Sequence, residues 1–145
     1  MPRSRNIIFE VSIFQVVQMV APELDEYRSR YSHVKFERND GILTMQLHTE
    51  GEELVWGFGP HEELGYCFAD VAADPANEVI ILTGTGESFI DQEDLSGVEV
   101  EPEAWEQAME DAKRLVMNLL EIPAPIIAAV NGPATIHSEL AVLSD

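Results

Sequence analysis

The run Ile126-Ile127-Ala128-Ala129-Val130 constrains this chain more than any other segment. Five consecutive apolar residues, bracketed by Pro125 and by Asn131-Gly132, are too few for a helix and too continuous for a half-solvated strand. They predict a strand covered on both faces, the habit of parallel sheets. A matching run, Val79-Ile80-Ile81-Leu82-Thr83, ends in Gly84-Thr85-Gly86, a turn where backbone comes close to something. Between the two runs, Pro102 opens a helical pattern whose expected inner stripe is Trp105, Ala108, Met109, Ala112, Leu115, Val116, Leu119 and Leu120. Strand and helix alternate, which defines an α/β class.

The rest of the pattern agrees. Val34 to Arg38 alternates, Asn39-Asp40-Gly41 supplies a turn and Ile42 to Leu47 resumes, a hairpin signal. Gly51 to Pro60 reads as a loop carrying Trp56. From His61 a helix is expected, with Leu64, Cys67, Phe68, Val71 and Ala72 on its inner face, and Asp74-Pro75 stops it. After Asn131-Gly132 the chain delivers His137, then Ser138 as the expected N-cap of a last helix beginning with Glu139. Backbone amides at such a helix start are free to hold an enolate or a tetrahedral oxyanion.

Composition narrows the classes of partner. The 145 residues suit one domain with its own core. Twenty-seven acidic against eight basic residues give a net charge of −19, which excludes nucleic acid and anionic membrane as partners and reads as a solvated acidic surface. A single cysteine, Cys67, excludes an internal disulfide and a cysteine-rich metal site; it reads as a small core residue, and a cytoplasmic location fits. Asp91, Glu93 and Asp94 lack the spacing and glycine of a calcium loop, and Asp94 is expected to cap a turn. His33, His48 and His61 lack ligand-like spacing and read as surface or hairpin residues, so no metal is expected. Residues 1–30 read as an N-terminal extension; Ile7 to Val20 is mostly apolar, interrupted by Glu10, Gln15 and Gln18, and too short to span a bilayer. The interruptions and the lack of a clean small-residue cleavage site argue against a secretory signal, and an added packing or oligomerisation segment or an upstream start reads about equally well.

Three stretches carry a family likeness: Val79 to Gly84, Ser88-Phe89-Ile90-Asp91-Gln92-Glu93-Asp94-Leu95, and Ile122-Pro123-Ala124-Pro125 through Asn131-Gly132. In that order and spacing the chain from about Tyr31 to Asp145 resembles the crotonase (enoyl-CoA hydratase/isomerase) superfamily. Within it, His48 to Gly51, Leu54-Val55-Trp56, His61 to Phe68 and the segment leading to His137 are most similar to β-diketone hydrolases of the 6-oxocamphor hydrolase type. The resemblance implies a crotonase-like ββα spiral, of which residues 31–145 would be the N-terminal portion. It also implies a homo-oligomer, trimer or hexamer, a small cyclic diketone as substrate and no cofactor.

The same resemblance assigns roles. The family's oxyanion-hole motif reads Phe89-Ile90-Asp91-Gln92-Glu93-Asp94 here, so the Asp91 backbone N–H is the first donor. His137 matches the loop histidine that hydrogen-bonds a substrate carbonyl; the plainer alternative is a histidine bonded to backbone at a helix start. Glu139 matches a catalytic glutamate of the hydratases and could act as general base, although stabilising the helix start through the macrodipole is the preferred reading. Trp56 matches a substrate-holding tryptophan, with packing an equal alternative. The water-activating His–Asp pair and a later carboxylate of the diketone hydrolases would lie beyond position 145. A CoA thioester is the less favoured substrate, because the glycines of both oxyanion motifs are replaced. The third alternative is a truncated, non-catalytic piece that associates with other subunits.

Overall fold

A computed structural model describes residues 21–96 and 101–145. Residues 1–20 of the N-terminal extension lie outside the described residues.

The hairpin forms as its turn residues dictate. Strands β1 (Val34–Asn39) and β2 (Ile42–Leu47) pair antiparallel, Asn39 opposite Ile42. Asp40 (φ 46°) and Gly41 (φ 79°) occupy the two left-handed positions that a type I′ turn demands. Alternation sends Val34, Phe36, Leu43, Met45 and Leu47 to one buried face.

Strands β4 (Val79–Thr83) and β6 (Ile126–Ala129) extend this sheet in parallel, giving the order β1-β2-β4-β6. Their faces differ from expectation. On β4 only Ile80 and Leu82 are buried, and on the edge strand β6 only Ile126 is, while Ile127 and the following Val130 are half exposed. One face of these runs is buried, while the other is only partly covered on β4 and half exposed at Ile127 of β6.

Helices α2 (Phe58–Ala73) and α3 (Pro102–Leu120) pack on each other. Helix α2 begins three residues before His61, since Gly57 serves as its N-cap and Pro60 lies in its first turn, where a missing N–H costs nothing. Helix α2 buries Leu64, Cys67, Phe68 and Val71, with Gly65 lying against the backbone of Leu115 on α3.

The stripe expected for α3 is corrected. Ala108, Asp111, Leu115 and Leu119 face inward, whereas Trp105, Met109 and Leu120 are exposed. The apolar arc of α3 is wider than its contact with α2, so its flank is left over. Asp111 takes an inward place because Gln107 and Arg114 satisfy its carboxylate.

Before β1 lies a short helix, α1 (Leu24–Tyr27), followed by a 3-10 turn at Arg28–Arg30. Leu24 and Tyr27 belong to the core, Tyr27 meeting Phe36 edge-on at 5.9 Å. Residues 24–27, read from sequence as extension, thus pack with the domain. A two-stranded sheet joins β3 (Val55–Trp56) to β5 (Gln92–Glu93) in parallel. The last helix, α4 (Glu139–Val142), is a single turn; Ser138 precedes it but makes no side-chain capping bond. No helix among the described residues is long and apolar enough to cross a membrane.

Candidate active site

Two loops are laced together at the carboxyl ends of the parallel strands. The Asn131 side chain accepts the Gly84 N–H (3.1 Å) and donates to the Gly86 and Ser88 carbonyls (2.9 and 3.0 Å). Phe89 and Ile90 donate their N–H groups to Pro133 O, while Thr135 and Ile136 donate theirs to Ile90 O. The Thr135 hydroxyl donates to Asp91 Oδ1 at 2.5 Å. This lacing fixes the base from which the chain rises to His137.

His137 stands in the left-handed region (φ 46°), an uncommon place for a residue with a Cβ. Its ring stacks on Trp56, centroids 4.0 Å apart and planes 27° apart. Its Nδ1 lies 2.5 Å from Glu139 Oε1. The plain alternative, a ring tied to backbone, is not what forms. Trp56 belongs to β3 rather than a loop, and at 3% exposure it both packs in the core and lines the cavity beside His137.

That cavity, about 210 Å³, is bounded by Trp56, Phe58 and His61 on one side, Trp105, Ala108, Met109 and Ala112 of α3 on another, and Glu93, Leu95 and His137 at its rim. Trp105 and Met109, expected in the core, form its wall.

Asp91 does not line the cavity. Its side chain is the loop staple, and its own N–H donates to no backbone carbonyl among the described residues. The free amides expected at a helix start are also reduced, because α4 is one turn long and Leu140 N–H already bonds His137 O. Asp94 caps a turn as expected, accepting the Ser96 N–H at 2.8 Å, and hydrogen bonding from the Ser96 side chain and then its amide holds its carboxyl below the usual carboxylate range. No group of three or more His, Cys, Asp and Glu among the described residues could hold a metal.

His61 is the site residue that sequence spacing missed. It is buried at the start of α2, edge-on to Trp56 at 5.8 Å and 5.3 Å from the His137 ring. It sits three residues before Leu64 on the same inner stripe, a signal the sequence did contain. Burial, and then the neighbouring His137, lower its pKa below 6.5, which favours the neutral ring. The linkage follows in sign. Well above pH 6.5 His61 is neutral in both folded and unfolded chains; as pH falls through 6.5 the unfolded chain takes up the proton first and stability is lost. His61→Gln should therefore show a smaller drop in urea midpoint between pH 7.5 and 5.5 than wild type; an equal drop would contradict a burial-driven shift.

With this geometry in hand, the class of protein is clear: the parallel strands, their laced loops and the histidine-edged cavity are those of a crotonase-type fold. The chain belongs to the enoyl-CoA hydratase/isomerase family, which matches residues 37–139. It is similar to a β-diketone hydrolase from the cyanobacterium Anabaena sp. PCC 7120, solved bound to (S)-3-oxocyclohexyl acetic acid. That match has 36% identity and a TM-score of 0.80, and covers 83% of this chain and 49% of that one. It is 31% identical over 108 residues to 1,2-epoxyphenylacetyl-CoA isomerase of Escherichia coli (strain K12), covering 71% of this chain and 40% of that protein. An enoyl-CoA hydratase/isomerase from Mycobacterium paratuberculosis shares the fold at 21% identity and a TM-score of 0.70, covering 79% and 47%. The chain thus spans less than half the length of these relatives.

Proposed function

We propose that the chain carries part of the active site of a hydrolase that cleaves the C–C bond of a cyclic β-diketone by a retro-Claisen reaction. Water adds to one carbonyl, the bond to the carbon between the carbonyls breaks, and the electron pair leaves as an enolate whose oxygen must be stabilised. His137 serves that oxygen, and Trp56 and the α3 flank hold the alicyclic body. No cofactor is needed, because water supplies the nucleophile and the second carbonyl supplies the electron sink.

The observation that carries this reading is the His137 ring itself, stacked on Trp56 at the edge of a largely apolar cavity and tied to Glu139. A preorganised donor is worth most where water is scarce. The likeness to the Anabaena enzyme supports the same choice. Glu139 counts against the CoA-thioester alternative, where it would serve as free general base, because its carboxylate is engaged by His137. His137→Ala should lower turnover of a bicyclic β-diketone about 10²- to 10³-fold, the loss typical of one oxyanion donor. The assay is loss of diketone by gas chromatography, run beside crotonyl-CoA hydration. Unchanged diketone cleavage in the variant, or turnover of crotonyl-CoA alone, would sink the reading.

A further inference from the structure

The cavity beside His137 is apolar over most of its wall and carries fixed charge at one place. Of the residues that line it, only Glu93 is an acid, and none is a lysine or an arginine. His61, buried and favoured as neutral, adds no positive charge. The described arginines are committed elsewhere: Arg28 to Asp25, Arg30 to Asp70, Arg38 to Asp74 and Arg114 to Asp111. The group behind the His137 ring is again a carboxylate, that of Glu139.

The backbone explains why a carboxylate stands there. Strand β5 pairs in parallel with β3 so that Glu93 lies in register with Trp56, and side chains in register on neighbouring strands share a face. The Asp94 N–H closes this strap on Trp56 O at 2.8 Å. Gly57 lets the two segments pass closely, since a Cβ there would stand 3.1 Å from Asp94 O. The preceding residue, Gln92, takes the opposite face and donates its amide to Glu53 Oε2 at 3.0 Å. Alternation therefore sends Glu93 to the side of Trp56 and the cavity. Glu93 is exposed on this strand, so its charge touches both the cavity and solvent.

We propose that Glu93 is a specificity-determining residue, whose carboxylate makes this cavity select uncharged alicyclic ligands over anionic ones of the same shape. An apolar wall binds the alicyclic body of either ligand, and the rim then separates them by charge. A second consequence rests on the proposed diketone chemistry. There a neutral diketone and one water become a keto acid, which is ionised at neutral pH. The substrate enters uncharged, while the product acquires a charge of the sign that Glu93 repels. Glu93 thus weakens the hold on product without opposing the entry of substrate.

The test begins without turnover. The chain's two tryptophans, Trp56 and Trp105, both line the cavity, so intrinsic fluorescence reports its occupancy. The probes are cyclohexylacetamide and cyclohexylacetate, close in shape and different by one charge. Titrated into the full chain near pH 7.5 at low ionic strength, the amide should bind more tightly than the carboxylate. Glu93→Gln should cut the ratio of the two dissociation constants about tenfold, the scale of one like-charge contact in a solvent-touched cavity. Glu93→Lys should cut it further. In wild type, salt raised to about 0.5 M should shrink the ratio, because an exposed charge is screened. Glu37→Gln changes the net charge equally, but on β1 and outside the cavity lining, and should leave the ratio as it is. A ratio indifferent to Glu93→Gln, one lowered as much by Glu37→Gln, or no fluorescence response to either probe overturns the proposal. With bicyclic β-diketone, the keto-acid product should inhibit Glu93→Gln about tenfold more strongly than wild type, by the same charge contact. Charge selection in a chain that leaves diketone untouched supports the role of Glu93 and refutes the diketone reading; cleavage with a ratio indifferent to Glu93→Gln does the opposite.

Discussion

Gly132→Ala should lower the unfolding free energy by about 3 kcal/mol, the top of the usual range for overpacking. A Cβ at this position would stand 1.8 Å from the Glu87 carbonyl oxygen and 2.5 Å from its carbon, both backbone atoms that cannot rotate aside. Nor can the opposing loop retreat easily. Gly84, at its base, leaves a would-be Cβ only 2.1 Å from Ser88 O, and Asn131 pins the loop at Gly84, Gly86 and Ser88. Gly51→Ala is the control: it lies at φ 91° with nothing within 4 Å, so it carries only the cost of a left-handed backbone, about 1 kcal/mol. Urea unfolding followed by circular dichroism measures both. If Gly132→Ala costs no more than Gly51→Ala, close approach of the two loops is not what the glycine serves. Because the same lacing leads to His137, the variant should also lose the diketone cleavage proposed for this site.

The parts of this fold that follow from local chemistry were legible. Asn39-Asp40-Gly41 specifies its turn whatever surrounds it, and Pro102 marks the first residue of α3 because proline is tolerated there and not later. What the sequence could not reveal is which side of an apolar segment meets a partner. Trp105 and Met109 share helical spacing with Leu115 and Leu119, so periodicity alone places all four inward; only the position of α2 separates core from cavity wall. The apolar runs of β4 and β6 misled in the same way, promising two buried faces where one is buried.

The site shows the same division. His137 stood out because an Asn-Gly turn delivers it from a strand. Its partnership with Glu139 was hidden, since a spacing of two places side chains apart on a regular helix, and the left-handed backbone at His137 has no sequence signature. His61 was hidden differently: compared with other histidines for ligand spacing it reads as nothing, whereas compared with Leu64 it reads as part of the inner stripe. Asp91 was singled out for its amide, and the side chain turns out to hold Thr135.

Asp74→Ala should cost about 3–5 kcal/mol, the scale of breaking a buried ion pair from one side, and so a large share of the roughly 5–15 kcal/mol that holds a domain together. Asp74 is 3% exposed at the end of α2. Its Oδ2 accepts from Arg38 Nη1 at 2.6 Å and from the Tyr27 hydroxyl at 3.1 Å, while Oδ1 accepts the Ala76 N–H. Asn77 closes the network, accepting from Arg38 and donating to Tyr27 and to Val71 O. Burial pushes the Tyr27 phenol up to about 12, so its proton stays available to Asp74 at any ordinary pH. Truncating Asp74 leaves Arg38, 22% exposed, without its counter-charge and the phenol without its acceptor, and it also uncouples α1 and β1 from the end of α2. Two comparisons separate charge from packing. Asp25→Ala, in the exposed pair with Arg28, should change stability by less than about 0.5 kcal/mol. The double replacement Arg38→Met with Asp74→Leu should cost less than Asp74→Ala alone, because neither charge is then left stranded. Denaturant titrations of the three variants decide it: a double variant as damaging as the single one would mean that hydrogen-bond geometry, and not an uncompensated guanidinium, sets the penalty.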